Sequence, residues 1–309
     1  YLGEGASAPP GLVAKPGGEF NQFAGIYSKT ANPNSLASAT SRLQAGEDAE
    51  LVRQETGWFK GPDDMWRYEI DDSTAELVAS DTWAKMKASV ARGESSRSHK
   101  LADVLDHPHL FAAYPSLRKA RVRLSTDEKG GSYDPDTMNI TLGGKASLDE
   151  IRGTLLHEIQ HAIQTKEGFA RGGSPAEFRG VYVRLLLDLN DTIGAINHKL
   201  KATPGGTPAY DELLEERARL AKEVQKIEGE EGMGVAEKAY DEYRRLAGEV
   251  EARNTEIRGR LGLPERQAQS PASTADTPAA NMILSYNGRA IAISASVIDD
   301  DAAYELYVE

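Results

Sequence analysis

The stretch SLDEIRGTLLHEIQHAIQTKEG, residues 147–168, decides how this chain is read. Ser147 followed three residues later by Glu150 is a capping box, which satisfies orphan amides at a helix start. Leu155, Leu156, Ile159, Ala162 and Ile163 then make a helix that is apolar on most sides and stops by Gly168. Residues four apart on a helix share one face, one turn above the other. His157 and His161 have that spacing, and two such imidazoles can bind one zinc ion. Glu158 sits beside the first. Its carboxylate can lie next to a metal without ligating it and take a proton from an activated water. We therefore expect His157 and His161 as metal ligands, Glu158 as catalytic base and Zn2+ as cofactor.

Two structural alternatives compete for the same residues. One is a histidine pair satisfied by carboxylates inside an ordinary core. The other is a helical di-iron site, because Glu158-Ile-Gln-His161 also reads Glu-x-x-His. Such a site needs a second Glu-x-x-His helix. The nearest substitute, Asp106-His-Pro-His109, carries a proline that does not belong in mid-helix.

Upstream, Arg121–Leu124 predicts a strand. GSYDPDTMNITL predicts a hairpin, with Asp134-Pro135-Asp136 as the turn and Met138, Ile140 and Leu142 on one face. WFKGPDDMWRYEI predicts another around Gly61-Pro62-Asp63-Asp64, with Trp58 and Trp66 packed across it. Helical patterns cover Ser35–Leu43, Glu47–Glu55, 74–92 and Leu101–Leu105. Residues 1–34 are rich in Gly, Pro, Ala and Ser and read as a flexible linker. No signal peptide is expected in their opening.

Downstream, helices are expected at about 175–201, 209–228 and 234–261. A helical insertion at about 180–235 would form an antiparallel hairpin. Residues 264–309 read as an extended arm and a C-terminal β-hairpin, with Asn287-Gly288 at its turn. The fold class is α+β: a small mixed β-sheet, an active-site helix and an inserted helical hairpin.

Composition sets outer limits. The 309 residues carry a formal net charge of -12, with 39% hydrophobic residues and no cysteine. That describes a soluble globular chain without disulfides or thiolate zinc sites. An acidic chain lacks the footprint of a duplex-binding protein, so no nucleic-acid partner is expected. No apolar run approaches the roughly 18 residues of a membrane span, so no membrane is expected either.

Two histidines leave a catalytic zinc one protein ligand short. Positions 164 and 167 are Gln and Glu, so the longer histidine motif is absent. His198 falls in the insertion as a surface residue. A carboxylate from a later helix is the remaining solution, and YRRLAGEVEARN (residues 243–254) offers Glu249 and Glu251. Residues two apart on a helix diverge, so only one can face the metal. The apolar stripe of Tyr243, Leu246, Ala247, Val250 and Ile257 runs nearer Glu251. Arg253, one turn beyond Glu249, would hold that carboxylate. Arg171 and Tyr243 could polarise an oxyanion. His107 and His109 read as cap or surface residues.

RQETGWFKGPDDMWRYEIDD, LADVLDHPHLFAAYP, GSYDPDTMNITL, TLLHEIQHAIQTKEGFARGGSP and YRRLAGEVEARN occur in that order. Together they resemble the zincin-like module of large polyvalent proteins of phages and mobile elements, over about residues 50–280. The resemblance implies a metallopeptidase domain over 35–263, set within a phage particle or the host cytoplasm. It implies ligands at His157, His161 and a glutamate of GEVEARN, with Glu158 as base and a peptide or protein as substrate. Gluzincins commonly show their ligand as the first Glu of Glu-x-x-Ala, and Glu249-Val-Glu-Ala252 fits that form. The third ligand is accordingly assigned to Glu249, with Glu251 as the alternative. Two rival functions remain: a non-catalytic metal-binding module of the polyprotein, and a protease that processes only its own precursor.

Overall fold

The computed structural model describes residues 21–290, apart from 73, 128–129, 230–233, 260 and 287–288. The chain divides into two compact units. The first joins Tyr1–Arg171 to Ala247–Glu309, and the second is Gly172–Leu246.

The first unit is mixed α and β. It opens with β1 (Asn21–Ala24), α1 (Pro33–Gln44), α2 (Ala49–Thr56), β2 (Phe59–Lys60), β3 (Trp66–Asp71) and β4 (Glu76–Leu77). Next come α3 (Ser80–Ala91), β5 (His99–Lys100), α4 (Leu101–Val104), β6 (Leu105–Asp106) and α5 (Pro108–Ala113). Then follow β7 (Arg121–Ser125), β8 (Gly131–Asp134), β9 (Asn139–Gly143) and the long α6 (Leu148–Glu167). The second unit consists of α7 (Pro175–Ala202), α8 (Pro208–Glu228) and α9 (Gly234–Arg245). The chain returns to the first unit with α10 (Ala247–Gly259), α11 (Leu263–Ala268), α12 (Pro271–Thr274), β10 (Ser285–Tyr286) and β11 (Arg289–Ala290).

Two small sheets frame α6. One has the order β1-β3-β2, and the other is a mixed four-stranded sheet in the order β5-β7-β9-β8. In the second, β7 and β9 run parallel, placing Val122 opposite Ile140 and Leu124 opposite Leu142. All four are fully buried, as are Ile151, Leu155, Leu156, Ile159 and Ile163 of α6. Each such aliphatic side chain contributes about 1.5–3 kcal/mol on leaving water. The sheet face and α6 thus share one core. Strand β8 pairs antiparallel with β9 and is an edge strand, as β5 is on the other side of the sheet.

Helix α6 starts and stops where its sequence says. Ser147 Oγ accepts from the Glu150 N–H, and the Ser147 N–H donates to the Glu150 carboxylate. Gly168 closes the helix at φ 76, a left-handed conformation that costs a glycine nothing.

Five expectations need correction. Residues 21–34 are not linker: β1 pairs with β3, and Gln22, Phe23 and Ala24 are buried. A four-residue strand is too short to show alternation within a Gly/Pro-rich context; residues 1–20 lie outside the described residues. Residues 74–79 are not helical, because β4 pairs with β6 there. The inserted unit is larger than 180–235 and holds three helices rather than a hairpin. Tyr182 on α7 donates its hydroxyl to Glu242 on α9 within it (3.3 Å). The helix expected over 234–261 breaks at Leu246, because the Ala247 N–H leaves the helical ladder for the Ile283 carbonyl (2.8 Å).

The segment after 263 is not simply extended either. It forms α11 and α12, held where Arg53 and Arg258 donate to the Arg266 carbonyl (3.2 Å each). The expected C-terminal hairpin is present as the antiparallel pair β10–β11. Its Asn287-Gly288 turn and residues 291–309 lie outside the described residues.

Candidate metal centre

Helix α6 presents His157 and His161 one turn apart, and α10 crosses it with Glu249. The two Nε2 atoms are 3.2 Å apart. Glu249 Oε1 lies 3.4 Å from His161 Nε2, and Glu249 Oε2 lies 3.7 Å from His157 Nε2. Among the described residues this is the group of three or more His, Asp or Glu that could hold a metal ion. Zinc with nitrogen and oxygen ligands at about 2.0–2.1 Å in a tetrahedron needs ligand atoms separated by about 3.3 Å. The observed triangle meets that spacing, and two imidazoles with one carboxylate are a donor set that zinc accepts. Glu249 is buried, while the His157 and His161 side chains are 22% and 16% exposed. The site is thus reachable from solvent on the histidine side.

Glu158 is buried and its side chain passes close to the backbone of β8. A Cβ on Gly131 would come within 2.7 Å of Glu158 Cγ and 2.6 Å of Thr154 Cγ2. The general-base candidate is therefore packed against an edge strand of the sheet.

Burial alone would lower the pKa of His161. The carboxylates of Glu249 and Glu158 outweigh that penalty and hold it above its ordinary value. Two carboxylates close to the ring favour positive charge there.

Glu251 points elsewhere. Its Oε1 accepts from Gln160 Nε2 (2.9 Å) and Gln164 Nε2 (3.0 Å), and Oε2 accepts from Arg67 Nε. Arg67 is gripped from its other side by Asp63, with Nη1–Oδ1 2.6 Å and Nη2–Oδ2 2.9 Å. Glu251 is thus a buried anchor between α10, β3 and α6, and Glu249 is the carboxylate brought to the histidines.

Arg253 forms a two-point ion pair with Asp276, at 2.7 and 3.0 Å. Arg171 donates its backbone N–H to the Ser285 carbonyl. Tyr243 and His198 belong to the second unit, and His198 is exposed there. His107 caps α5, its Nδ1 accepting from the Leu110 N–H (3.2 Å). Trp58 packs edge-on against Trp66 (6.5 Å, 89°) as part of the core.

Sequence reading missed the amides. Gln22 donates to the Leu156 carbonyl (2.7 Å). Gln160 accepts from the Phe23 N–H (2.9 Å) and donates to the Phe23 carbonyl (3.1 Å). Gln160 and Gln164 lie within the apolar run of α6 and are both buried. A buried amide requires partners, so glutamines interrupting that run were the available signal.

The family model for large polyvalent protein associated domain 23 matches residues 21–78. No curated protein and no solved structure matches the chain. The matched segment runs from β1 to β4. It stops short of α6 but contains Gln22, Phe23 and Arg67, which brace α6 and α10.

Proposed function

We propose that this chain is a zinc-dependent peptide hydrolase, a gluzincin-type module of a large polyvalent protein of a phage or mobile element. His157, His161 and Glu249 would hold the ion. The observation that carries the reading is the triangle of ligand atoms at 3.2, 3.4 and 3.7 Å.

Bound zinc supplies the positive charge that makes a water nucleophilic at neutral pH. Glu158 takes the proton of the attacking water on its carboxylate and passes it to the leaving amine. Its burial against β8 fixes where that carboxylate stands. A peptide suits the site because β8 is an edge strand: an extended chain can add beside such a strand through backbone hydrogen bonds. The match to a polyvalent-protein domain over residues 21–78 agrees with the proposed context.

The test combines metal analysis with hydrolysis of a mixed library of internally quenched peptides. About one zinc per chain is expected in the wild type and in Glu158→Gln, and none in His161→Ala. Hydrolysis should fall about 10²–10⁴-fold in Glu158→Gln. A wild type that takes up no metal after zinc reconstitution overturns the reading. Metal without hydrolysis leaves a metal-binding structural module.

A further inference from the structure

We infer that Gln164 is a positioning residue. It holds His161 in the Nδ1–H tautomer, so that Nε2 presents its lone pair to the metal. The inference rests on the metal-centre reading above, and its geometry is independent of any bound ion.

The argument begins at groups that can only accept. The side-chain nitrogen of Gln164 lies 2.9 Å from the Gly248 carbonyl oxygen and 3.0 Å from Glu251 Oε1. Neither oxygen has a proton to give, so both contacts require the –NH2 of the amide at that position. The orientation of the amide is thereby settled by chemistry and not by choice of fit. Its oxygen is left facing His161, where Oε1 lies 2.9 Å from Nδ1. A carbonyl oxygen accepts only, so Nδ1 must carry the hydrogen. In the neutral ring Nε2 is then unprotonated, and it is the atom that faces His157 Nε2 and Glu249.

Glu251 is itself fixed by Gln160 and Arg67, and Arg67 by Asp63. The line Asp63–Arg67–Glu251–Gln164–His161 therefore runs from β3 and the turn before it to the metal face of α6. A metal-bound histidine whose other nitrogen donates to a carboxylate or a carbonyl is held in tautomer and ring orientation, and loss of that partner costs about 10–100-fold in metal affinity. Gln164 supplies the same service through an amide. Gln160 makes the same bond to Glu251 without touching His161, which gives the variants an internal control.

The test uses the full chain. Long-range side-chain 15N–1H correlation NMR of the metal-free protein, at a pH above the imidazole titration, reads the His161 tautomer. Zinc affinity is read by competition with a chromophoric chelator, and folding by thermal melting. The wild type should show Nδ1–H. Gln164→Met should lose that preference and bind zinc about 10–100-fold more weakly, while Gln160→Met, which leaves the Gln164–His161 contact intact, keeps the Nδ1–H tautomer. Gln164→Glu restores an acceptor to His161 but sets a second carboxylate beside Glu251. A merely structural role makes it worse than Gln164→Met in zinc affinity; a positioning role makes it better.

Nε2–H in the wild type, or wild-type zinc affinity in Gln164→Met, overturns the inference. If Gln164→Met does not fold, the wild-type tautomer decides it. Nδ1–H in a wild type that binds no zinc upholds the tautomer and overturns the metal reading instead.

Discussion

The backbone of Gly131 lies so close to the side chain of Glu158 that a Cβ at position 131 would collide with Oε1 and come within 2.7 Å of Cγ. The edge strand β8 and the candidate base are thus fitted to each other, and the fit depends on a missing side chain. Gly131→Ala forces the side chains of Glu158 and Thr154 to give way; the nearest atoms it meets belong to those two residues and not to the metal ligands. Misplacement of a reacting group by about 1 Å can cost roughly 10²-fold in rate. We expect peptide hydrolysis to fall by about that factor at unchanged zinc content. A variant with wild-type turnover would show that the Glu158 position is unimportant.

The two glutamates of α10 should separate cleanly. Glu249→Ala removes the carboxylate beside the histidines, so zinc should be lost while the metal-free protein melts as the wild type does. Glu251→Ala strips a buried guanidinium of one of its two carboxylates. Breaking such a pair costs about 3–5 kcal/mol; since Asp63 still holds Arg67, the lower end applies. Its melting temperature should drop by roughly 5–10 °C. Zinc retained in Glu249→Ala with unchanged affinity would remove Glu249 from the site.

Helix α6 was legible because all its signals are local: a capping box, an apolar run, a glycine stop and two histidines at i and i+4. Both hairpins upstream were legible for the same reason. Helix α10 was not. Its apolar stripe pointed toward Glu251, yet Ile257 is 37% exposed, while Glu249, Glu251, Asn254, Thr255 and Arg258 are buried. A helix buried on nearly every side has no amphipathic face to read, and its polar residues are placed by partners far away in sequence. Glu69 for Arg258 and Arg67 for Glu251 are examples. Strand β1 was hidden likewise, because its burial depends on Gln22 reaching the Leu156 carbonyl across 134 residues of chain.

Ser147→Ala removes the side-chain acceptor of the capping box that starts α6. Such losses cost about 1 kcal/mol. The expected effect is a melting temperature lower by roughly 2–4 °C, with zinc content unchanged, since His157 lies almost three turns further along the helix. A loss of metal in this variant would mean that the first turn of α6 positions the ligands directly.

The fully buried pair of Asp72 and His107 gives the protein a pH signature away from the metal. His107 Nδ1 accepts from the Leu110 N–H, so Nε2 carries the hydrogen that it donates to Asp72 Oδ1 at 2.6 Å. Asp72 Oδ2 is buried with no hydrogen-bond partner among the described residues. Burial pushes the Asp72 carboxyl up to about 6, against the pull of His107. A carboxyl raised above its unfolded value of about 3.9 binds its proton more tightly in the folded state. Its contribution is therefore least favourable above pH 6. It becomes more favourable as pH falls from about 6 toward about 4, each unit of difference being worth about 1.4 kcal/mol. Asp72→Asn keeps an acceptor for His107 but cannot titrate. Urea unfolding at several pH values should show the wild type gaining stability relative to Asp72→Asn as pH falls through that window. A difference that stays flat across it would mean that Asp72 titrates alike in the folded and unfolded chain, and that its buried oxygen has found a partner.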